Sequence, residues 1–220
     1  MRQTFLLLFL IIAGCALPHP TKWQPSLSPF SGAKGRLFFE VSTPRGKFEG
    51  ESFFVAGRSF FYLEGLSPFG FALFQGLLED QEAQLVLFPK REAYLLRFHL
   101  PEEVAGAWGE LLLGRLPASF LQEALLFETK NFYLLKKEAG AFRILAKFSK
   151  EGVLKEVTVK KERTLLRLSY RGSKEVLWEV PPVRSRGRLV FETVNFVEDP
   201  RKPTLVIPRG FKRFSWELKW

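Results

Sequence analysis

The chain has 220 residues, of which 46% are hydrophobic and 15% aromatic, and its formal net charge at pH 7 is +10. This composition indicates a packed globule, and the length suits one domain. Cys15 is the only cysteine, which excludes a disulfide within the chain. No internal repeat and no low-complexity block interrupts the sequence.

The first fifteen residues have the pattern of a bacterial export signal. Arg2 supplies a positive charge, and an apolar run over residues 5–13 follows, which is too short to span a bilayer. The run ends in Ile12-Ala13-Gly14-Cys15, which resembles the lipobox of bacterial lipoproteins. We therefore expect residues 1–14 to be a lipoprotein signal peptide. The alternative is an ordinary signal peptide, or an uncleaved anchor, with an incidental cysteine.

Cys15 is the expected lipidation site. In the lipoprotein pattern its thiol takes a diacylglycerol, and the mature residue carries several acyl chains such as palmitate. Two or more chains give stable attachment, since each buried CH₂ contributes about 0.8 kcal/mol. Ala16 stands where an Asp would favour inner-membrane retention in the enterobacterial type. The expected location is therefore the outer membrane, with the protein facing the periplasm.

Residues 15–32 are rich in Pro and Ser and show neither a helical nor a strand period. This composition predicts a flexible tether that begins at the lipidated cysteine. The folded part is then expected to form a single domain over residues 33–220, and we expect it to be a monomer.

The folded part is predicted to be mostly β-strand. In KGRLFFEVST, Leu37, Phe39 and Val41 alternate with Arg36 and Glu40, which is the period of a half-buried strand. Further candidate strands are KFEGESFFV, RSFFYLEGL, FALFQGLL, AQLVLF, EAYLLRF, NFYLLKK, AFRILAKFS, VLKEVTVKK and TLLRLSY. Short turn signals separate them, so we expect hairpins between neighbours and an antiparallel meander.

Between the two strand-rich halves the period changes to that of a helix. In HLPEEVAGAWGELLLGRL, Pro101 suits a first helical position, and Val104, Trp108, Leu111 and Leu112 fall on one face. A second short helix is predicted in LPASFLQEALL. Both apolar faces have to be buried against the concave side of the sheet, either as a plug of the core or as a lid over a cavity.

The segment LSPFG joins two predicted strands. Pro68 and Gly70 favour a turn, because Pro fixes φ and Gly accepts positive φ. Phe69 at the tip is unexpected in a segment that faces water. Two interpretations are open: an exposed contact for another lipidated or apolar molecule, or a side chain that folds back into the core.

The order of these features resembles the LolB family of outer-membrane lipoprotein receptors, within the LolA/LolB-like superfamily. The resemblance covers roughly residues 33–127 and is weak beyond them. The segments that carry it are Gly35-Arg36 at the start of a strand, the aromatic-rich hairpin after it, Pro68-Phe69-Gly70 in place of a Pro-Leu-Gly turn, Leu116-Pro117, and SFLQEALLF.

The resemblance implies a mainly β (α+β) fold, an incomplete antiparallel β-barrel with a short helical lid over an apolar cavity. The cavity would take acylated lipoproteins from a LolA-type periplasmic carrier, and the receptor would place them in the outer membrane with no cofactor. Phe69 would act in membrane insertion of that cargo. The candidate lining residues, taken from alternation and helical spacing, are Leu37, Phe39, Val41, Trp108, Leu111 and Leu112.

The positive charge needs a separate interpretation. The net charge is +9 once residues 1–14 are removed, because they contain Arg2 and no acid. Export and the lack of a recognisable binding motif argue against nucleic acid as a partner. Arg184, Arg186 and Arg188 are candidates for contact with anionic lipid headgroups or with an acidic partner. A solvated surface without a partner is the alternative.

Catalysis is not expected from the sequence. His19 and His99 are the only histidines and lie far apart, so they suggest neither a metal cluster nor a histidine-based triad. No Gly-x-Ser-x-Gly motif and no Gly-rich phosphate loop is present. Two hypotheses remain open: a lipoprotein-sorting receptor, with a lipid or glycolipid carrier as its close relative, and a structural or adaptor envelope lipoprotein of the same fold.

Overall fold

The structure, a computed structural model, describes residues 18–44 and 46–218. The predicted signal peptide, the predicted lipidation site Cys15, and Arg45 lie outside the described residues. The strands, numbered in chain order, are β1 (His19–Pro20), β2 (Gly32–Thr43), β3 (Gly46–Gly57), β4 (Phe60–Leu66), β5 (Ala72–Glu79), β6 (Glu82–Leu87), β7 (Glu92–Phe98), β8 (Leu125–Glu128), β9 (Tyr133–Ala139), β10 (Phe142–Phe148), β11 (Leu154–Lys160), β12 (Thr164–Arg171), β13 (Glu175–Val180), β14 (Ser185–Val197) and β15 (Lys212–Leu218).

All fifteen strands belong to one open sheet. Their order is β1-β8-β9-β10-β11-β12-β13-β14-β2-β3-β4-β5-β6-β7-β15. Every pair of neighbours is antiparallel except β7 and β15, which run parallel. Within the described residues the edge strands β1 and β15 do not pair with each other, so the sheet is not closed. The predicted fold class, a mainly β fold with an incomplete antiparallel barrel, is confirmed.

The two strand-rich halves are joined by a strand that no sequence motif marked. β14 pairs with β13 on one side and with β2 on the other, over a long ladder that includes Leu189 opposite Phe39 and Phe191 opposite Leu37. Each of the ten predicted strand segments overlaps a strand of the structure. The pairing of β14 with β2 unites the fifteen described strands in one sheet.

The helical region is shorter and more broken than predicted. It consists of α1 (Glu102–Ala105), α2 (Trp108–Leu112) and one 3₁₀ turn over Ala118–Leu121. The prediction of one helix in HLPEEVAGAWGELLLGRL is therefore wrong. The chain leaves helical geometry at Ala107, which has φ −138°. Among the described residues, no helix combines the length and the hydropathy needed to cross a membrane.

α2 packs against the turn that joins β3 to β4. The Gly109 N–H donates to the carbonyl oxygen of Arg58 at 3.0 Å. A Cβ on Gly109 would lie 1.7 Å from the carbonyl oxygen of Gly57, so only glycine allows this approach. Trp108 Nε1 donates to the carbonyl oxygen of Asp80, in the turn between β5 and β6, at 2.9 Å. We call this end of the sheet the plugged end and the opposite end the free end.

The main core lies between the concave face of the sheet and the helical region. Phe54, Leu111, Phe120 and Leu168 are among its fully buried side chains. A second, small cluster lies on the convex face, where Leu205 covers the side chains of Phe60, Tyr62 and Leu77. Leu205 belongs to the segment after β14, which crosses the convex face and leads to β15.

The segment predicted as a flexible tether is packed against the sheet where the structure describes it. β1 pairs with β8, and the Trp23 ring stacks on the Tyr133 ring with centroids 4.2 Å apart and planes 6° apart. Phe30 is buried in the main core. The prediction of a tether over residues 15–32 is therefore wrong from residue 19 onward, because aromatic contacts hold a Pro-rich segment that has no period of its own.

Candidate functional site: the apolar concave face near the free end

Four of the six predicted cavity-lining residues belong to the packed core. Leu37 and Leu111 have no accessible surface, and Trp108 and Leu112 are buried beside them. A side chain that lined a cavity wide enough for an acyl chain would keep surface accessible to solvent. These four residues are therefore packed in the core, and the helices plug the core where these residues lie, which is one of the two interpretations of the helical region.

The other two predicted lining residues, Phe39 and Val41, are half-buried and begin an open apolar surface. The pairing registers place them on the concave face together with side chains of β3, β5, β6, β7 and β15 near the free end. We call this surface the apolar strip. Its members are Phe39, Val41, Phe48, Phe74, Leu85, Leu87, Tyr94, Phe214 and Trp216.

The apolar strip is open to solvent although its side chains are hydrophobic. Phe48 is 45% exposed, and Leu85, Phe214 and Trp216 are each 37% exposed. Phe39 and Phe74 meet edge to face with ring centroids 5.1 Å apart. Monomeric soluble proteins rarely leave large apolar patches uncovered unless the patch binds something.

A glycine gives the apolar strip part of its depth. Gly76 lies on the concave face between Leu63 and Leu85, and a Cβ there would meet no atom closer than 3.8 Å. Gly65 shows the opposite arrangement, because a Cβ there would lie 2.0 Å from the Phe74 ring. The space above Gly65 is filled, whereas the space above Gly76 is free.

Three aromatic rings form a cluster where β15 joins the sheet. The rings of Tyr94, Phe214 and Trp216 are nearly parallel, and their centroids are 5.2 Å, 5.7 Å and 6.0 Å apart in pairs. The Tyr94 hydroxyl donates to the Glu92 carboxylate at 2.5 Å. Neither Phe214 nor Trp216 was predicted as part of the site. The alternation of Phe214 and Trp216 with polar residues was the available signal, but the parallel pairing of β15 with β7 is not visible in it.

The turn LSPFG lies at the free end, beside the apolar strip. Phe69 is 85% exposed and Pro68 and Gly70 are exposed with it, so the interpretation that Phe69 folds back into the core is wrong. Phe71 is 73% exposed and had not been predicted as part of the site. Phe69, two residues earlier in the chain, was the only available signal.

The turn is held rigidly by Ser67. Its N–H donates to the Phe71 carbonyl oxygen at 2.8 Å, its carbonyl oxygen accepts from the Gly70 N–H at 2.9 Å, and its hydroxyl oxygen accepts from the Phe71 N–H at 3.1 Å. Gly70 has φ +80°, which favours glycine. The two phenylalanines are therefore presented by an ordered turn.

The three predicted anion-contacting arginines do not share one environment. Arg184 and Arg186 are exposed near the free end. Arg188 faces Glu40 across the β14–β2 pair, and its guanidinium lies 3.4 Å from the Glu40 carboxylate and 2.8 Å from that of Glu175. Two carboxylates therefore already balance the charge of Arg188, whereas Arg184 and Arg186 have no carboxylate within ion-pair distance among the described residues.

The helical region is held over the other half of the concave face by a buried cation. Lys137 of β9 is almost fully buried, and its Nζ donates to the carbonyl oxygens of Ser119 and Gln122 at 2.8 Å and 3.1 Å. In α2, burial raises the pKa of Glu110, while the charges of Arg58 and Arg115 act to lower it. Within the described residues, no group of three or more His, Cys, Asp and Glu side chains could hold a metal ion.

Comparison with known proteins gives structural neighbours and no sequence relatives. No family model matches the sequence, and no curated protein matches it. A LolA superfamily protein from Nitrosomonas europaea is similar in structure, with a TM-score of 0.46 and 9% identity over 79% of this chain and 90% of that one.

Two further solved structures show a similar degree of likeness. A DUF1329 family protein from Desulfovibrio piger has a TM-score of 0.47 and 7% identity over 77% of this chain and 87% of that one. A candidate outer membrane lipoprotein-sorting protein domain from Vibrio parahaemolyticus has a TM-score of 0.42 and 6% identity over 77% and 87% of the two chains. None of the three is described as LolB, so that assignment stays a prediction.

Proposed function

We propose that this protein is a lipid-anchored receptor that accepts the acyl chains of other lipoproteins on its apolar strip and places them in the outer membrane. The observation that carries the proposal is the open apolar strip next to two exposed phenylalanines on one ordered turn. The protein acts by binding and release, and its residues supply no catalytic step.

The size of the apolar strip supports an acyl ligand. The strip runs from β2 to β15, which is six inter-strand spacings or about 28 Å along the sheet. An acyl chain extends through half of a bilayer's hydrocarbon core, or about 15 Å. Phenyl rings and leucine side chains provide apolar area with few polar atoms that need partners, which is what such a chain requires.

The position of the turn supports delivery to a membrane. Phe69 and Phe71 project from the free end, where the apolar strip opens, and not from the plugged end. An acyl chain that leaves the strip at this end passes beside the two rings. The LolB-like role assigned to Phe69 by the Pro68-Phe69-Gly70 motif fits this placement.

The remaining parts of the proposal come from the sequence. The lipobox ending at Cys15 predicts the lipid anchor, and Ala16 favours the outer membrane over the inner one. A LolA-type periplasmic carrier is the proposed donor of the cargo. An adaptor lipoprotein that contacts envelope components without carrying lipid is the alternative, and the filled core beneath the helices is the observation that favours it.

The proposal is tested by transfer of an acylated lipoprotein. The chain from residue 16 onward, which contains every described element, is mixed with a LolA-type carrier loaded with lipoprotein. We expect the cargo to move to this chain and then to added liposomes. Phe69→Glu should still accept cargo but deliver it poorly, because a charged side chain at the tip opposes entry into lipid.

A control separates the turn from the rest of the surface. Phe53→Glu changes an exposed phenylalanine on the convex face of β3 and should leave both steps unchanged. If the folded wild-type chain accepts no cargo from the carrier of its own genome, the receptor proposal fails and the adaptor alternative stands.

A further inference from the structure

The connections at the free end carry a strong excess of positive charge. These are the turns after β2, β4, β6, β9, β11 and β13 and the last few residues before β8 and β15. Glu123 and Glu162 are the acids in their described residues. The cations there are Lys90, Arg91, Lys161, Arg163, Arg184 and Arg209. We call these six residues the basic rim.

The plugged end has no such excess. Its connections mix both signs: α1, in the segment after β7, contains Glu102 and Glu103, and the segment after β14 begins with Glu198 and Asp199. Lys150, in the turn between β10 and β11, is paired with Glu128 at 2.7 Å. The charge of the molecule is therefore polarised along the strand direction, and the free end is the positive end.

Five of the six residues of the basic rim are available for a ligand, and the rim adjoins the apolar residues. Among the described residues, no carboxylate lies within ion-pair distance of Lys90, Arg91, Arg163, Arg184 or Arg209. The Lys90 ammonium group lies 5.9 Å from the centre of the exposed Phe48 ring of the strip. The 88–91 turn also contacts the residues before β15, with Phe88 and Phe211 rings 5.9 Å apart.

We propose that the free end is a docking face for an anionic phospholipid bilayer, with Phe69 and Phe71 in the acyl region and the basic rim at the headgroups. Apolar tips surrounded by cations match the two layers of such a surface, because headgroup phosphates are negative and the layer beneath them is apolar. An acidic protein would match the cations but would leave the two protruding phenylalanines in water.

This docking orients the molecule. The strands run roughly perpendicular to the membrane surface. The helical plug lies at the end that is away from the membrane, and the apolar strip opens toward the lipid. The inference does not depend on which ligand the strip carries, and it would hold for an adaptor lipoprotein as well. Of the arginines predicted to contact anions, Arg184 belongs to the basic rim and Arg188 does not.

The experiment measures binding of the unlipidated chain, residues 16–220, to vesicles. Vesicles of phosphatidylglycerol and phosphatidylcholine in equal amounts are compared with phosphatidylcholine alone. Binding to the anionic vesicles should weaken steeply as salt rises from about 0.05 M to about 0.5 M, because the Debye length falls from about 14 Å to about 4 Å. Binding that is equal for both vesicles, or independent of salt, overturns the proposal.

Two matched triple variants locate the face. Lys90→Gln, Arg91→Gln and Arg184→Gln together should reduce binding about a hundredfold, since each cation near an anionic surface contributes about fivefold. Lys130→Gln, Lys174→Gln and Arg201→Gln remove the same charge from exposed positions of the plugged end and should reduce binding only a few-fold. Equal losses in the two variants would mean that net charge alone attracts the lipid, and the docking face would be wrong.

Insertion of the turn is measured separately. In Phe69→Trp, the added tryptophan fluorescence should shift to the blue and be quenched by brominated lipid in anionic vesicles. The same substitution at Phe53, on the convex face, should show neither effect. If Phe69→Trp stays in water while the chain is bound, the contact is purely electrostatic and the proposed orientation fails. Circular dichroism of each variant confirms that the compared chains are folded.

Discussion

The ammonium group of Lys137 lies 3.3 Å from the carboxylate of Glu103, and this ion pair joins the sheet to the helical region. The Lys137 side chain is only 7% exposed, and it reaches Glu103 and two backbone carbonyl oxygens at once. Removing a buried charge that is both paired and hydrogen-bonded is costly, because its partners are left buried without a counter-charge or a hydrogen-bond donor. Lys137 therefore fixes the plug on the concave face.

Lys137→Met should destabilise the protein by about 3 kcal/mol, because it leaves the Glu103 carboxylate and two carbonyl oxygens without their partner. Urea unfolding measures the change. Lys136→Met is the matched control: Lys136 is 32% exposed and pairs with Glu138 at 3.0 Å on the surface, so its loss should cost less than about 1 kcal/mol. Similar costs for both variants would show that Lys137 does not hold the plug.

Substitutions of two glycines should separate filled from open space on the concave face. Gly76→Ala should be neutral or stabilising by about 0.5 kcal/mol, since its Cβ has room and a strand glycine costs conformational entropy. Gly65→Ala should destabilise by about 1–3 kcal/mol, because the Phe74 ring has to move. Thermal unfolding of the two variants checks both signs.

A larger side chain at position 76 should test whether the apolar strip binds an acyl chain. Gly76→Phe should fill the apolar strip and weaken the binding of fluorescently labelled palmitate while the fold is kept. Ser215→Phe is the control, because it adds the same ring to an exposed position on the other face of β15. Unchanged palmitate binding by a folded Gly76→Phe variant would argue against the strip as the acyl site.

Tyr62 should make the stability depend on pH in the alkaline range. Burial raises the pKa of Tyr62 from 10.0 to about 12, and the nearby Glu64 carboxylate adds to the shift. The folded protein holds the phenol proton more tightly than the unfolded chain does, so this stability is present below pH 10 and is lost as the pH rises from 10 toward 12.

The measurement for Tyr62 is a series of urea unfolding curves between pH 9 and pH 12. Lysines titrate in the same range, so the comparison is with Tyr62→Phe, which keeps the ring and removes the titrating hydroxyl. The free energy of unfolding should fall less steeply with pH in the variant. Identical slopes would show that Tyr62 ionises as easily in the folded protein as in the unfolded chain.

Trp23→Ala should destabilise the protein by about 2 kcal/mol, because it removes a stacked contact with Tyr133 and an edge contact with Phe148. It should also expose residues 18–31 to limited proteolysis. Trp178→Ala, on β13, gives a comparison in which the N-terminal segment keeps its resistance. A cleavage pattern that is the same in wild type and Trp23→Ala would restore the original prediction of a tether.

Cys15→Ala should abolish labelling of the chain by palmitate and move it out of the membrane fraction, since one apolar run over residues 5–13 is too short to anchor it. Labelling in cells, followed by fractionation, measures both effects. Retention of the Cys15→Ala chain in the membrane would favour the uncleaved anchor that was the alternative to a lipoprotein signal.

Local patterns in the sequence determined ten of the strands and the turn that carries Phe69. Alternation over residues such as Leu37, Phe39 and Val41 depends only on one face of a strand being buried, so it is visible without a structure. The turn at Pro68–Gly70 has the same local origin, because the allowed φ angles belong to the residues themselves.

Tertiary structure alone decided which part of the concave face is covered and which part is open. The sequence could not separate Leu37, which is sealed in the core, from Phe39, two residues along the same face, because the difference depends on where the helices end. Several contacts join residues that lie far apart in the chain. Examples are the pairing of β15 with β7, the ion pair between Arg188 and Glu40, and the stacking of Trp23 on Tyr133. Such contacts are chosen by the packing of the whole sheet, and no single stretch of residues carries the information.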